Sequence, residues 1–121
     1  MIKTHGLTHI ALAVRDPERS ARFYSQVFGA QEYFRDAKSI QRKGPGDWVI
    51  MTFEQDAAAA GRIGGISHFG FRLVDPKEID TAVREVEREG RKVPRQGEFV
   101  PGEPYVFIAD PDGYEVEVWY E

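Results

Sequence analysis

Cysteine does not occur among the 121 residues, which excludes a disulfide framework, a thiolate metal cluster and a cysteine nucleophile. Any metal would need nitrogen and oxygen ligands. Asparagine is absent too, a faint compositional trait of heat-adapted proteins. No run of about 18 apolar residues occurs, and no charged segment followed by a long apolar run opens the sequence, so neither a membrane span nor a signal peptide is expected. The expectation is a soluble, cytoplasmic protein. Nor is there an excess of cations. The 16 Lys and Arg stand against 20 Asp and Glu, for a net charge of −4 with the signs interspersed, whereas nucleic-acid phosphates call for a basic patch. The Arg residues between 84 and 91 are matched by Glu and read as a solvated helix face. Histidine is scarce, at three residues, so the places where it stands carry information.

Two of the three stand in a repeat. Thr8-His9-Ile10-Ala11-Leu12-Ala13-Val14-Arg15-Asp16-Pro17 returns as Ser67-His68-Phe69-Gly70-Phe71-Arg72-Leu73-Val74-Asp75-Pro76. Each copy runs from a hydroxyl residue and a histidine into alternating strand residues and then Asp-Pro, the mark of a duplicated module. A second pair, Gly44-Pro45-Gly46-Asp47-Trp48-Val49-Ile50-Met51 and Asp110-Pro111-Asp112-Gly113-Tyr114-Glu115-Val116-Glu117, sets Met51 opposite Glu117. At 121 residues the chain has the size of one domain, and each half alone is short of a comfortable core. The expected division is a first module over 1–55, a linker over 56–65 and a second module over 66–121. The linker holds four alanines and three glycines, and its alanine run suits a helical turn. Gly61-Arg62-Ile63-Gly64-Gly65 precedes a strand rather than a helix, so it is no phosphate loop.

Alternation predicts a strand over 7–14, and Asp16-Pro17 supplies an N-cap with proline in the first turn. Ser20, Phe23, Tyr24, Val27 and Phe28 then share one helical face, and Gly29 suits its stop. Strands follow at 31–36, 38–43 and 47–54. The pattern restarts with a strand over 66–74 and an Asp75-Pro76 cap. A helix carrying Ile79, Ala82, Val83 and Val86 ends at Gly90, and strands follow near 92–97, 104–109 and 114–120. The expected fold class is α+β: two tandem βαβββ modules forming a curved mixed β-sheet cup with helices on the outer face.

Strand parity sorts the candidates for chemistry. His9, Ala11 and Ala13 share one face, and Ile10, Leu12 and Val14 the other. In the second copy His68, Gly70 and Arg72 oppose Phe69, Phe71 and Leu73, so the bulky apolar residues meet the helix and the histidines face the cavity. On the last strand Glu115, Glu117 and Trp119 oppose Val116 and Val118, bringing carboxylates to the histidine side. Tyr105, Phe107 and Trp119 share parity with Glu117 and either line an apolar pocket or fill the centre of a dimer core. Arg72 either receives an anionic substrate group or pairs with Glu115. Glu115 is the candidate general base, with a solvated or paired carboxylate as the commoner fate. Met51, Val49 and Phe53 read as packing or cavity wall rather than ligands, with Met51 and Phe53 the candidates for substrate contact.

The paired histidine strands, the helix entry after each, and the closing Asp110-Pro111-Asp112-Gly113-Tyr114-Glu115-Val116-Glu117 resemble the vicinal oxygen chelate superfamily. That family holds glyoxalase I, fosfomycin-resistance enzymes, extradiol dioxygenases and bleomycin-binding proteins, and the resemblance covers essentially the whole chain. It implies a divalent metal (Fe, Mn, Ni or Zn) at His9, His68 and Glu117. Two imidazoles and a carboxylate form such a site with positions open for water or substrate. The implied function is a metal-dependent enzyme that chelates or polarises two substrate oxygens, in lyase, isomerase, transferase or dioxygenase chemistry. The competing reading is a metal-free protein that sequesters a toxic small molecule, of the bleomycin-resistance type. The resemblance also implies a homodimer in which His9 of one subunit meets His68 and Glu117 of the other. Glyoxalase I and its nearest relatives carry a fourth ligand at the repeat counterpart of Glu117. With Met51 at that place, the expectation is three protein ligands, since a thioether is a poor partner for a hard ion. His5, outside the repeated strand, is expected to be exposed.

Overall fold

The computed structural model describes every residue except Ile2, Thr4, Gly6, Asp47 and Trp48. The chain folds as two compact units, Met1–Ala60 and Gly61–Glu121, which divide it inside the expected linker. In that linker the N–H of Ala60 donates to Asp56 O at 3.0 Å, closing a single helical turn over the alanine run.

The first unit contains β1 (His9–Val14), α1 (Pro17–Phe28), β2 (Gln31–Arg35), β3 (Ser39–Lys43) and β4 (Ile50–Gln55). Its four-stranded sheet has the order β1-β4-β3-β2, with β1 parallel to β4 and the other pairs antiparallel. The second unit repeats it with β5 (Phe69–Arg72), a 3₁₀ turn Pro76–Glu78 leading into α2 (Ile79–Arg88), β6 (Arg95–Glu98), β7 (Pro104–Ala109) and β8 (Glu115–Trp119). The order is β5-β8-β7-β6, with β5 parallel to β8. Each unit is thus a βαβββ module, and the α+β expectation holds.

Local chemistry accounts for the helix ends. Asp16 Oδ1 accepts from the N–H groups of Glu18 and Arg19 at 3.0 and 3.3 Å, satisfying donors that have no partner within the helix. Gly29 closes α1 at φ +68°, where the Ala30 N–H donates to Tyr24 O at 3.2 Å. In the second module Asp75 Oδ1 accepts only from the Lys77 N–H, and the segment it caps is 3₁₀ before it becomes α-helical. The helix expected directly after Asp75-Pro76 therefore starts at Ile79.

Each helix packs on one face of its own sheet, α1 on β3 and β4, α2 on β7 and β8. Leu12, Val14, Phe23, Tyr24, Ile40, Met51 and Phe53 form the first core, and Val86, Val106, Ile108, Val116 and Val118 the second. Alternation is strict: Val106 pairs with Val118 and Ile108 with Val116 on the helix side, leaving Tyr105, Phe107, Glu115, Glu117 and Trp119 on the other. The strand expected over 66–74 forms only over Phe69–Arg72, so His68 precedes the ladder by one residue. The strand expected from residue 47 begins at Ile50; Asp47 and Trp48 lie outside the described residues.

Candidate metal centre

The site is built on the helix-free face of the second sheet. Between β7 and β8, Asp110 Oδ1 accepts from the N–H groups of Asp112 and Tyr114, both at 2.9 Å, and Gly113 adopts φ +92°. This closed turn, with Asp110 2% exposed, pins the register that pairs Phe107 with Glu117 and Ala109 with Glu115. On the other flank β5 sets Gly70 opposite Glu117. A Cβ at Gly70 would stand 2.8 Å from Glu117 O and 3.3 Å from Glu117 Cβ, so glycine here permits the close approach of β8.

His68 and Glu117 come together as expected. His68 Nε2 lies 3.5 Å from Glu117 Oε2, and Ser67 Oγ lies 3.1 Å from Nδ1 on the far side of the ring. The imidazole is thus directed at the carboxylate by a partner on its other nitrogen, the arrangement that orients metal-binding histidines. Phe107, its ring 5.0 Å from that of His68 and nearly perpendicular to it, walls the pair from beneath.

In the first module His9 takes the matching place: its Nε2 lies 3.2 Å from Thr52 Oγ1. The ladder sets Ala11 opposite Thr52 as it sets Gly70 opposite Glu117. The repeat counterpart of Glu117 is therefore Thr52, and the alignment that put Met51 there is corrected by one residue. A one-residue slip changes face. Met51, 2% exposed, and Phe53, fully buried and stacked at 5.0 Å on Tyr24 of α1, belong to the core. Of the two roles expected for them, packing and cavity wall, packing is the one they fill. Ile50, Thr52 and Glu54 are the residues of β4 that share the His9 face, and the polar Thr52 and Glu54 on either side of the apolar Phe53 are the sequence signal for it.

Glu115 does not pair with Arg72. Its Oε2 accepts from Arg95 Nη2 at 2.9 Å, and the Arg95 guanidinium lies 3.9 Å from the centre of the Phe107 ring. Arg72 instead donates to the Glu121 carbonyl at 2.6 Å and covers the Trp119 ring at 5.5 Å. Arg95 is thus a site-face residue that sequence reasoning missed. Tyr105 pairs with Trp119 across the strands and stacks at 4.7 Å on Phe99. Phe99, Glu103, Glu117, Trp119 and Glu121 line an open hollow of about 280 Å³. Tyr105, Phe107 and Trp119 share the Glu117 face of β7 and β8, and Phe107 meets the His68 ring. His5 is exposed.

Among the described residues no group of three or more His, Asp or Glu side chains gathers within the chain. The spacing of the His68–Glu117 pair suits two ligands of a divalent ion. Two ligand atoms each about 2.1 Å from a tetrahedral ion stand roughly 3.4 Å apart, and the His68–Glu117 separation is 3.5 Å. No helix among the described residues is long and apolar enough to cross a membrane.

Known proteins carry the same architecture. Catechol-2,3-dioxygenase of Bacillus subtilis (strain 168) is 28% identical over 126 residues, spanning 98% of this chain and 44% of its own length. A manganese-dependent 2,3-dihydroxybiphenyl 1,2-dioxygenase of Geobacillus genomosp. 3 is 25% identical over 118 residues, spanning 93% and 36%. The chain therefore covers less than half the length of these relatives. The genomically encoded fosfomycin resistance protein FosX of Listeria monocytogenes superposes with a TM-score of 0.83 at 21% identity, over 100% of this chain and 95% of that one, and has also been solved with Mn(II) and a sulfate ion. At that identity the likeness shows the fold. The sequence profile of the glyoxalase/bleomycin resistance protein/dioxygenase superfamily matches residues 6–118. Profile and fold agree over nearly the whole chain, which belongs to that superfamily.

Proposed function

We propose that this domain is a divalent-metal-dependent enzyme acting on a small molecule that offers two adjacent oxygens, with His9, His68 and Glu117 as its metal ligands. The observation that carries the reading is the His68–Glu117 pair, held at 3.5 Å by Ser67 on one side and the β8 register on the other. His9 enters by repeat equivalence, because it occupies in β1 the place that His68 occupies before β5. A bound ion of this class supplies polarisation of the substrate oxygens and stabilisation of the negative charge that develops on them. The chain's own contribution is to hold the ligands, to leave positions open by offering the Thr52 hydroxyl where a fourth carboxylate would stand, and to present aromatic rings to the substrate. Among iron, manganese, nickel and zinc, manganese is favoured by the relatives, one named as manganese-dependent and one solved with Mn(II). The proposal includes a homodimer, with sedimentation as its check.

The test is elemental analysis of gently purified protein together with Mn(II) titration. Wild type is expected to hold close to one ion per completed site, and His68→Ala and Glu117→Gln to lose it. Should reconstituted wild type bind no metal, the reading fails. Small-molecule binding insensitive to chelator would then favour the metal-free sequestering protein, for which the hollow beside Phe99 and Trp119 provides the apolar wall.

A further inference from the structure

We propose that Arg95 is a positioning residue for His68, acting through the Phe107 ring, and that Glu115 anchors Arg95 rather than moving a proton. The four side chains form a continuous series on one face of the second sheet. Glu115 Oε2 accepts from Arg95 Nη2 at 2.9 Å, the guanidinium carbon lies 3.9 Å from the centre of Phe107, and Phe107 meets His68 at 5.0 Å with the rings 84° apart. The ladder fixes the order: Arg95 pairs with Phe107 across β6 and β7, and Phe107 with Glu117 across β7 and β8.

His68 needs such support. It stands one residue before β5, outside the ladder that holds Gly70, and its side chain is 37% exposed. Its ring is oriented by the Ser67 hydroxyl on Nδ1 and by contact with Phe107. Phe107 is 7% exposed and carries the Arg95 guanidinium over its ring, a contact favoured because a cation is attracted to the ring face. The guanidinium is itself tethered by a charge-assisted bond to Glu115. A carboxylate engaged in this way has a structural task. That leaves the general-base role expected for Glu115 without need of its own.

The consequence for metal affinity rests on the metal reading above; the orientation of His68 does not. Residues directly bonded to a metal ligand change affinity about 10- to 100-fold when removed, and Arg95 acts one contact farther away. Arg95→Ala is therefore expected to weaken Mn(II) binding about three- to tenfold. Glu115→Gln is expected to weaken it less, and the double variant to bind no worse than Arg95→Ala, because both act through one series.

The experiment is heteronuclear NMR of the His68 imidazole in the labelled full chain, with Mn(II) titration of unlabelled protein alongside. In wild type the His68 ring protons should carry a ring-current shift that Phe107→Leu removes. Arg95→Ala should diminish that shift, and Glu115→Gln should do so in part, while the rest of each spectrum remains native. An unchanged His68 shift in folded Arg95→Ala overturns the proposal. Glu115→Gln serves in its place should Arg95→Ala not fold. If folded Glu115→Gln leaves both the shift and Mn(II) affinity intact, the anchor role is wrong. If the shifts respond as expected while wild type binds no Mn(II), the positioning role stands and the metal reading alone falls.

Discussion

His68 Nε2 stands 3.5 Å from Glu117 Oε2, and in the other module His9 Nε2 stands 3.2 Å from Thr52 Oγ1. The same atom of the same residue type addresses the same ladder position twice, once meeting a carboxylate and once a hydroxyl. On the proposed metal reading the asymmetry bears on affinity, because a carboxylate is a hard anionic ligand and a neutral hydroxyl a weak one. Thr52→Glu should create a second histidine–carboxylate pair and tighten Mn(II) binding about tenfold or more, an increase of roughly 1.4 kcal/mol or more. Isothermal titration with a parallel melting curve checks it; unchanged or weaker binding by a folded variant would show that the Thr52 position has no access to the metal.

Gly70 gives a sharper test of the ligand strand. A Cβ there meets the Glu117 carbonyl oxygen at 2.8 Å, and backbone cannot turn aside as a side chain can. Gly70→Ala is expected to cost about 1–3 kcal/mol of stability by overpacking and to weaken Mn(II) binding along with it. Denaturant unfolding beside metal titration reads both, and wild-type values for both would mean that β5 and β8 have room to separate.

Phe53 separates core from cavity. It is fully buried and stacked on Tyr24, so Phe53→Ala should lower stability by about 3–5 kcal/mol. Among variants that remain folded, Phe53→Leu should leave ligand affinity near wild type. A large loss of ligand affinity without loss of stability would restore Phe53 to the substrate wall.

Acid stability has a local contribution at Asp36. Its carboxylate is held below its ordinary pKa, first by the Lys38 N–H and next by the Ser39 N–H, each donating to Oδ1 at 2.8 Å. A carboxylate with a depressed folded-state pKa stabilises the native state above its unfolded pKa, and the contribution disappears as pH falls through the folded value. Asp36→Asn should therefore flatten the acid limb of the stability curve below the ordinary aspartate range, while leaving its shape near neutrality unchanged. Urea unfolding between pH 2 and pH 7 measures this, and an acid limb identical to wild type would dismiss the contribution.

What was legible before folding is local. The Asp16-Pro17 cap, the αL stop at Gly29, the division of Leu12 and Val14 from His9 and Ala11, and the facing of Glu117 toward the His68 side all depend on neighbours a few residues away. They are found where expected. What local pattern leaves undecided depends on pairing between distant strands. Matching turn residues set Met51 opposite Glu117. The parallel β1–β4 ladder makes Thr52 the counterpart, and the slip carries Met51 to the core. Of the two fates that a shared face leaves open for Arg72, the pairing with Glu115 does not form, because Arg95, twenty residues earlier in the chain, reaches that carboxylate.

The amino-acid sequence by itself determined the duplicated βαβββ plan and which side chains share a face, because caps, glycine stops and a two-residue period act through the adjacent backbone. Only the tertiary structure decided the partners: Thr52 for His9, Arg95 for Glu115, Phe107 beside His68. Partnership depends on strand register, which is set by hydrogen-bond ladders between segments far apart in the chain, and a shift of one residue exchanges a site-face residue for a core residue.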